Sequence, residues 1–90
     1  MPQVTKISPQ EAANAAVKYL TGLVQIRSAP TVEEVEYSEE ANEWHITIGY
    51  LSPDASPLNY AIGQRDRDYK IFRINAETGE ILSMKIRKIS

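Results

Sequence analysis

Only one stretch of this 90-residue chain has a helical pattern, and it stands ahead of every stretch that has the pattern of a strand. Ser8, Pro9 and Glu11 are typical of a helix start, because Ser8 and Glu11 can form a capping box and proline suits the first turn. Gly22 is predicted to end the helix, since glycine accepts the left-handed conformation of a C-terminal cap. Apolar residues recur between them at spacings of three and four: Ala12, Ala13, Ala16, Val17 and Leu20. We therefore predict a helix over about residues 8–22.

Four later stretches alternate between apolar and polar residues, as strands with one wet face do. They cover about residues 32–38, 43–51, 68–75 and 80–88. A short polar turn separates the first two, and Gly79 can supply the positive φ of a turn between the last two. The segment 52–67 carries Pro53, Pro57 and Gly63 without a sustained period, which predicts a long loop.

Two successive hairpins after a single helix predict one fold class. We expect an α+β fold in which the N-terminal helix packs on one face of a four-stranded antiparallel sheet, with the other face exposed. Trp44, Ile46 and Ile48 share one side of the second strand and are predicted core residues. The whole chain, residues 1–90, is predicted to form a single domain.

Composition excludes several classes of function. The chain has no cysteine, so disulfides, thiolate nucleophiles and sulfur-ligated zinc are excluded. Its formal net charge is -2, which disfavours a nucleic-acid partner. No run of about 18 apolar residues occurs, so we expect no membrane segment. The sequence as given predicts a cytoplasmic protein, or a secreted or periplasmic one if a leader was removed from it.

The search for catalytic or cofactor chemistry yields no candidate. His45 is the one histidine, and a metal site would need it beside carboxylates such as Glu34 or Glu36. The paired glutamates Glu33 and Glu34 are adjacent in a strand, so they are predicted to point to opposite faces and to share no proton. No nucleophile elbow and no phosphate-binding glycine loop occurs. We expect no enzyme activity, no cofactor and no metal.

Candidate partner-binding residues fall into two groups. Leu58, Tyr60 and Ile62 lie in the long loop, where they either fold over the core or anchor a partner. The second group is charged and comprises Arg65 and Arg67, which precede the last hairpin, and Glu34 and Glu36, which lie on the glutamate-rich first hairpin.

The final hairpin carries a resemblance to a known family. Residues 69–82 read YKIFRINAETGEIL, and Ile74, Ala76, Thr78, Gly79, Glu80 and Ile81 fit the last hairpin of the PepSY domain. Asn75 stands where that family more often has aspartate, and the 52–67 connection is longer than the family's. The resemblance implies a PepSY- or cystatin-like arrangement. It also implies a non-enzymatic module that inhibits or modulates a peptidase.

The hypothesis that follows is a non-catalytic protein-binding module. One alternative is an immunity or antitoxin-like protein that neutralises a basic effector through Glu34 and Glu36. Another is a small self-associating structural protein, since an open sheet edge can form a homodimer. An enzyme or metal binder centred on His45 is the reading that the sequence favours least.

Overall fold

One helix precedes a four-stranded antiparallel sheet in the computed structural model, which describes residues 6–26, 28–51 and 67–87. Helix α1 spans Pro9–Leu23, and the strands are β1 (Thr31–Ser38), β2 (Glu43–Leu51), β3 (Arg67–Asn75) and β4 (Ile81–Ile86). The strands lie side by side in chain order, each antiparallel to the next. The helix contacts the sheet mainly at β2. The predicted α+β class, with one helix on an antiparallel sheet of two hairpins, is confirmed.

The helix begins where the sequence predicts and ends one residue later. The amide of Glu11 donates to Ser8 Oγ at 3.0 Å, and the amide of Ser8 donates to Glu11 Oε1 at 3.3 Å, which completes the capping box. The prediction of a left-handed cap at Gly22 is wrong, because Gly22 lies inside the last turn without a positive φ. The helix ends instead because Val24 adopts an extended conformation while its amide still donates to the Leu20 carbonyl.

The core lies between α1 and the face of the sheet that we call the inner face. Small residues of the helix let its backbone approach the sheet closely, as the alanine-rich stripe predicts. Trp44, at the start of β2, is only partly buried, and its indole N–H donates to the Ile7 carbonyl at 3.1 Å. The fully buried core residues are Ala12, Ala16, Leu20, Ile46, Ile48, Tyr50, Phe72 and Ile74.

The turn between β3 and β4 is stabilised by the side chain that opens it. Asn75 Oδ1 accepts from the amides of Glu77 at 2.8 Å and Thr78 at 3.1 Å, and Gly79 has a φ of +78°. The positive φ predicted for Gly79 is confirmed. A carbonyl oxygen does what an aspartate carboxylate would do here, so asparagine at position 75 keeps the turn intact.

The last strand is shorter than the sequence predicts. It was predicted over residues 80–88, but β4 spans Ile81–Ile86. Residues 52–66, which make up nearly all of the predicted long loop, lie outside the described residues. No helix in the described part of the chain is long and apolar enough to cross a membrane.

Candidate functional site

In the part of the chain that the structure describes, ion pairs rather than a second layer of structure cover the outer face of the sheet, opposite the helix. A β-bulge at Glu33 shifts the register of β1 against β2 between Val32 and Glu34. Both Glu33 and Glu34 therefore point to the outer face, which corrects the prediction that they point to opposite faces. Arg67 donates to Glu33 at 3.2 Å, and Arg87 is paired with Glu34.

Gly49 of β2 makes room for the first of these pairs. A Cβ added at Gly49 would lie 2.7 Å from Glu33 Oε2, 2.9 Å from Arg67 Nη2 and 2.9 Å from Tyr69 Cε1. These distances are shorter than van der Waals contact, so a residue with a side chain would push the pair away from the strand. The absence of a side chain on Gly49 therefore lets the charged groups cover the backbone of β2.

A second ionic cluster lies at the start of β2, around a carboxylate that sequence reasoning did not single out. Arg73 donates to Glu43 through Nε at 2.9 Å and through Nη2 at 2.7 Å, and His45 Nε2 lies 3.1 Å from Glu43 Oε1. The hydrogen bonds from Arg73 lower the pKa of Glu43 to about 2, with a further contribution from His45, and outweigh the effect of burial. Glu43 is therefore an ionised and largely buried acceptor, unsuited to proton transfer near neutral pH.

The middle of the outer face holds a shallow cavity of about 230 Å³. Arg87 crosses it and donates to Thr47 Oγ1 at 2.7 Å as well as to Glu34. No three histidine, cysteine, aspartate or glutamate side chains converge as a metal would require, within residues 6–26, 28–51 and 67–87. The cavity is lined by Glu34, Glu36, His45, Thr47, Ile71 and Arg87.

The structure brings together some of the candidate residues from the sequence. Glu34 and Glu36 lie on the outer face beside the cavity, and Glu36 is opposite His45 in the β1–β2 register. Arg67 opens β3 and contacts Glu33, so it joins neither of the two predicted glutamates. Leu58, Tyr60, Ile62 and Arg65 lie outside the described residues. The part that these residues play in binding stays a prediction.

Sequence reasoning predicted an open sheet edge without assigning it to a strand, and the edge of β4 is one of the two candidates. Strand β4 is the last of the four described strands, so no strand of residues 6–26, 28–51 and 67–87 lies on its second side. The amide of Arg87 donates to the Tyr69 carbonyl at 2.9 Å. Because bonded and non-bonded pairs alternate along an antiparallel ladder, the backbone groups of Met84 and Ile86 point away from β3. Those groups are available to another strand.

The side chains along this edge form an apolar row. Met84 lies opposite Phe72 and Ile86 opposite Lys70 on the inner face. Leu82 is the extra residue at the register shift of β4, two positions before Met84. Leu82 is 39% exposed and Ile86 is 72% exposed. We call Leu82, Met84 and Ile86 the β4 row. Solvent-exposed aliphatic side chains on an edge strand are a feature that proteins usually avoid, so the row is a candidate binding surface.

Helix α1 extends this apolar surface. The Tyr19 ring packs edge-on against Phe72, with the ring centroids 6.3 Å apart, which places Tyr19 on the β3 side of the helix. Leu23 follows four residues later on the same stripe and is 60% exposed. The exposed flank of α1 and the β4 row therefore lie on the same side of the sheet, beside its open edge.

The opposite edge differs in charge. Strand β1 also exposes aliphatic side chains, Val32 and Val35, and each edge strand has one register shift, at Glu33 in β1 and at Leu82 in β4. Strand β1 carries Glu33, Glu34 and Glu36 on its outer face, whereas β4 carries the single charge of Lys85. Charged residues protect an edge strand from pairing, so β1 is the better protected edge. Of the two edges, β4 is the one suited to strand addition.

The β4 row could have been suspected from the sequence. The strand reads ILSMKI, with four large apolar residues in six positions and one charge. Its place at the edge depends on the order of strands, which the hairpin pattern alone does not fix.

Comparison of the chain with protein-family models, curated proteins and solved structures finds no match.

Proposed function

We propose that this chain is a non-catalytic protein-binding module of PepSY type, which binds an extended segment of a partner protein along the open edge of β4. The observation that carries the proposal is the β4 row, where Leu82 and Ile86 are exposed beside unpaired backbone groups. Added strands gain affinity from main-chain hydrogen bonds and specificity from alternate side chains. The β4 edge offers both.

The partner segment that fits this edge is amphipathic. Its inner-face side chains would lie beside the β4 row and the exposed flank of α1, which favours aliphatic or aromatic residues. Its outer-face side chains would lie beside Lys85, which is exposed and lies opposite Ile71. An acidic or neutral polar residue is favoured there. Inhibition or modulation of a peptidase follows if the segment belongs to that enzyme.

The outer face supports a structural role for its charges rather than a catalytic or nucleic-acid-binding one. Arg67, Arg73 and Arg87 each contact a glutamate of the same chain. A basic surface for phosphates needs cations that are free of such partners. The same pairing weakens the alternative of an immunity protein, because Glu34, one of the two glutamates that it would use, already has a cationic partner.

Peptide selection with matched variants tests the proposal. The immobilised chain is used to select from a library of random twelve-residue peptides, and the enriched peptides are measured against Ile86→Lys and Val35→Lys. Both substitutions place a lysine at an exposed aliphatic position on the inner side of an edge strand, 72% exposed at Ile86 and 43% at Val35. We expect peptides of alternating apolar and acidic pattern, bound at least about tenfold more weakly by Ile86→Lys and unchanged by Val35→Lys.

The peptidase part of the proposal is tested separately, with a purified secreted metallopeptidase as the probe. We expect the unmodified chain to slow cleavage of a reporter peptide, and Ile86→Lys to slow it less. No enrichment in the selection, or equal loss of binding in both variants, would contradict binding at β4. Enrichment at β4 without any effect on the peptidase would retain the binding module and reject the modulating role.

A further inference from the structure

The β4 edge is complementary to itself. We propose that two copies of this chain pair through antiparallel β4 strands into a symmetric dimer, in which Met84 lies on the two-fold axis and the two sheets become continuous. This dimer uses the same edge as the proposed function, but it depends only on the geometry of β4 and needs no partner protein. Two-fold dimers are the commonest closed assemblies, and their interfaces use the same patch on both subunits.

Symmetry and side-chain alternation allow few registers. Residues directly opposite each other in an antiparallel pair have side chains on the same face of the sheet. The inner faces of both copies must lie on the same side of the joined sheet. An inner-face residue of β4 therefore has to lie opposite an inner-face residue of the second copy, and an outer-face residue opposite an outer-face one. The axis then passes through Ser83, Met84 or Lys85, each of which lies in the regular part of the strand.

The chemistry of the side chains selects among these three registers. With Lys85 on the axis, two like charges would face each other directly, which destabilises a pair. With Ser83 on the axis, Ile86 would meet Glu80 of the second copy, and the most exposed aliphatic residue of the strand would gain no apolar partner. With Met84 on the axis, Ile86 approaches Leu82 of the second copy, the apolar residue at the register shift of β4, and symmetry provides this contact twice.

The outer face of the same register is also matched. Ser83 Oγ is buried and has no hydrogen-bond partner among the described residues. With Met84 on the axis, Ser83 lies opposite Lys85 of the second copy, whose ammonium group can donate to that oxygen. An unsatisfied buried hydroxyl is costly, so this contact would favour the dimer twice over.

The backbone is compatible with this register. The amide and carbonyl of Met84 point away from β3, so the two Met84 residues can exchange both main-chain hydrogen bonds across the axis. The same operation applied to β1 would bring the glutamates of two copies together. Self-pairing is therefore expected at β4 and not at β1.

Engineered cysteines test the register, because the natural chain has none to interfere. Alpha carbons of a hydrogen-bonded antiparallel pair lie about 5.5 Å apart, within the range for a disulfide. We expect Met84→Cys to form an intermolecular disulfide under mild oxidation, seen by non-reducing electrophoresis and mass spectrometry. Lys85→Cys is offset from its symmetry mate by two residues and should not cross-link. Val35→Cys is the control on the other edge.

Sedimentation equilibrium tests the dimer without relying on a cysteine variant. We expect the natural chain to approach twice the monomer mass between micromolar and millimolar concentrations, and Ile86→Lys to raise the dimer dissociation constant at least about tenfold. A monomer at every concentration, or cross-linking of Val35→Cys as readily as Met84→Cys, would overturn the inference. Cross-linking through Lys85→Cys instead would reject the Met84 register.

The two proposals can fail independently. If the natural chain stays monomeric and the Ile86→Lys variant binds the selected peptides more weakly, the dimer is rejected and the binding function is retained. A chain that dimerises through Met84 and enriches no peptide would do the reverse. If both hold, excess peptide should shift the sedimenting species toward the monomer, because peptide and second copy compete for one edge.

Discussion

The two faces of β2 are both buried, but they are buried by different means. On the inner face, Ile46, Ile48 and Tyr50 lie under helix α1 and have almost no exposed surface. On the outer face, Thr47 and Glu43 are also buried, although no helix or sheet covers them among the described residues. Their cover consists of the long side chains of Arg73 and Arg87 and the groups bonded to them.

Because the two faces are buried by different means, their contributions to the free energy of unfolding respond differently to pH and salt. Apolar burial is proportional to the area removed from water and is insensitive to pH and moderate salt. Ion pairs at a partly exposed surface contribute less to the free energy of unfolding, and their contribution depends on pH and on salt concentration. Among the described residues, side chains alone shield the outer side of β2, and their contribution to stability is expected to be smaller than that of the apolar inner side.

The largest expected effect comes from breaking the inner face. Phe72 is fully buried in β3, between Met84 and Ile46 in the strand register. Phe72→Ala should lower the free energy of unfolding by about 3 to 5 kcal/mol, because it removes apolar contacts and leaves a cavity. Ile71→Ala, the neighbouring outer-face position, is the control and should cost clearly less in urea denaturation. Equal costs would mean that the two faces are held in the same way.

The next effect is ionic and depends on pH. Glu43→Gln keeps the shape of the side chain but weakens both hydrogen bonds from Arg73, so we expect a loss of about 1 to 2 kcal/mol at neutral pH. The pKa of Glu43 is lowered from 4.5 to about 2 in the folded chain. A folded-state pKa below the unfolded value means that its stabilisation is present above pH 4.5 and is lost as the pH falls toward 2.

Urea denaturation of both chains across that window checks the assignment. The gap between the natural chain and Glu43→Gln should be constant near neutral pH and should narrow from about pH 4.5 downward, because protonated glutamate resembles glutamine. A gap that stays constant down to pH 2 would show that the ionised carboxylate contributes no stability. Arg73 and His45 are the charged and titratable groups that face Glu43.

A pair of glycine substitutions sharpens the contrast between the cover of β2 and the open surface of α1. Gly49→Ala should lower the free energy of unfolding by about 1 kcal/mol, because its Cβ displaces the Glu33–Arg67 pair. Gly22→Ala has open space around the added carbon and should raise it by about 0.5 to 1 kcal/mol, as alanine is the better helix former. Thermal denaturation of the two variants shows whether each substitution lowers or raises the stability of the fold. A stabilising Gly49→Ala would mean that the pair contributes nothing.

The sequence was sufficient for those features that depend on near neighbours. The capping box of α1 joins Ser8 and Glu11, three positions apart, and the turn at Asn75 and Gly79 is equally local. The alternation of β2 correctly placed Ile46 and Ile48 in the core, because burial on one face repeats with the period of the strand. Helix, strands and inner face could therefore be predicted from pattern alone.

The outer face could not be predicted, because its contacts join residues far apart in the chain. Arg73 and Glu43 are 30 positions apart, and Arg87 and Glu34 are 53 positions apart. These pairs form only once the register of three strands is fixed, and the bulge at Glu33 shifts that register by one residue. Simple alternation placed Glu33 on the wrong face for this reason. The β4 row was missed because strand order, and not pattern, puts it at an edge.

The smallest expected effect separates two glutamates that the sequence treats as equivalent. Glu34 contacts Arg87, whereas Glu36 has no hydrogen bond to any described residue. Glu34→Gln should lower the free energy of unfolding by about 0.2 to 1 kcal/mol in dilute buffer, and Glu36→Gln should change it by less. The difference should vanish in molar salt, because both partners of the Glu34–Arg87 pair are partly exposed to screening ions.

That comparison also bears on the immunity-like alternative. A glutamate that neutralises a basic effector has to exchange its partner in the same chain for one on the effector. If Glu34 contributes to the stability of the fold, it is therefore a poorer candidate for that role than Glu36. Chemical denaturation of both variants in low and high salt measures the contribution. If Glu36→Gln is the costlier substitution, Glu36 has a partner of its own and Arg87 does not anchor the first hairpin. In that case the stabilising contact of Arg87 on the outer face would be the one to Thr47 of β2, and not the one to Glu34 of β1.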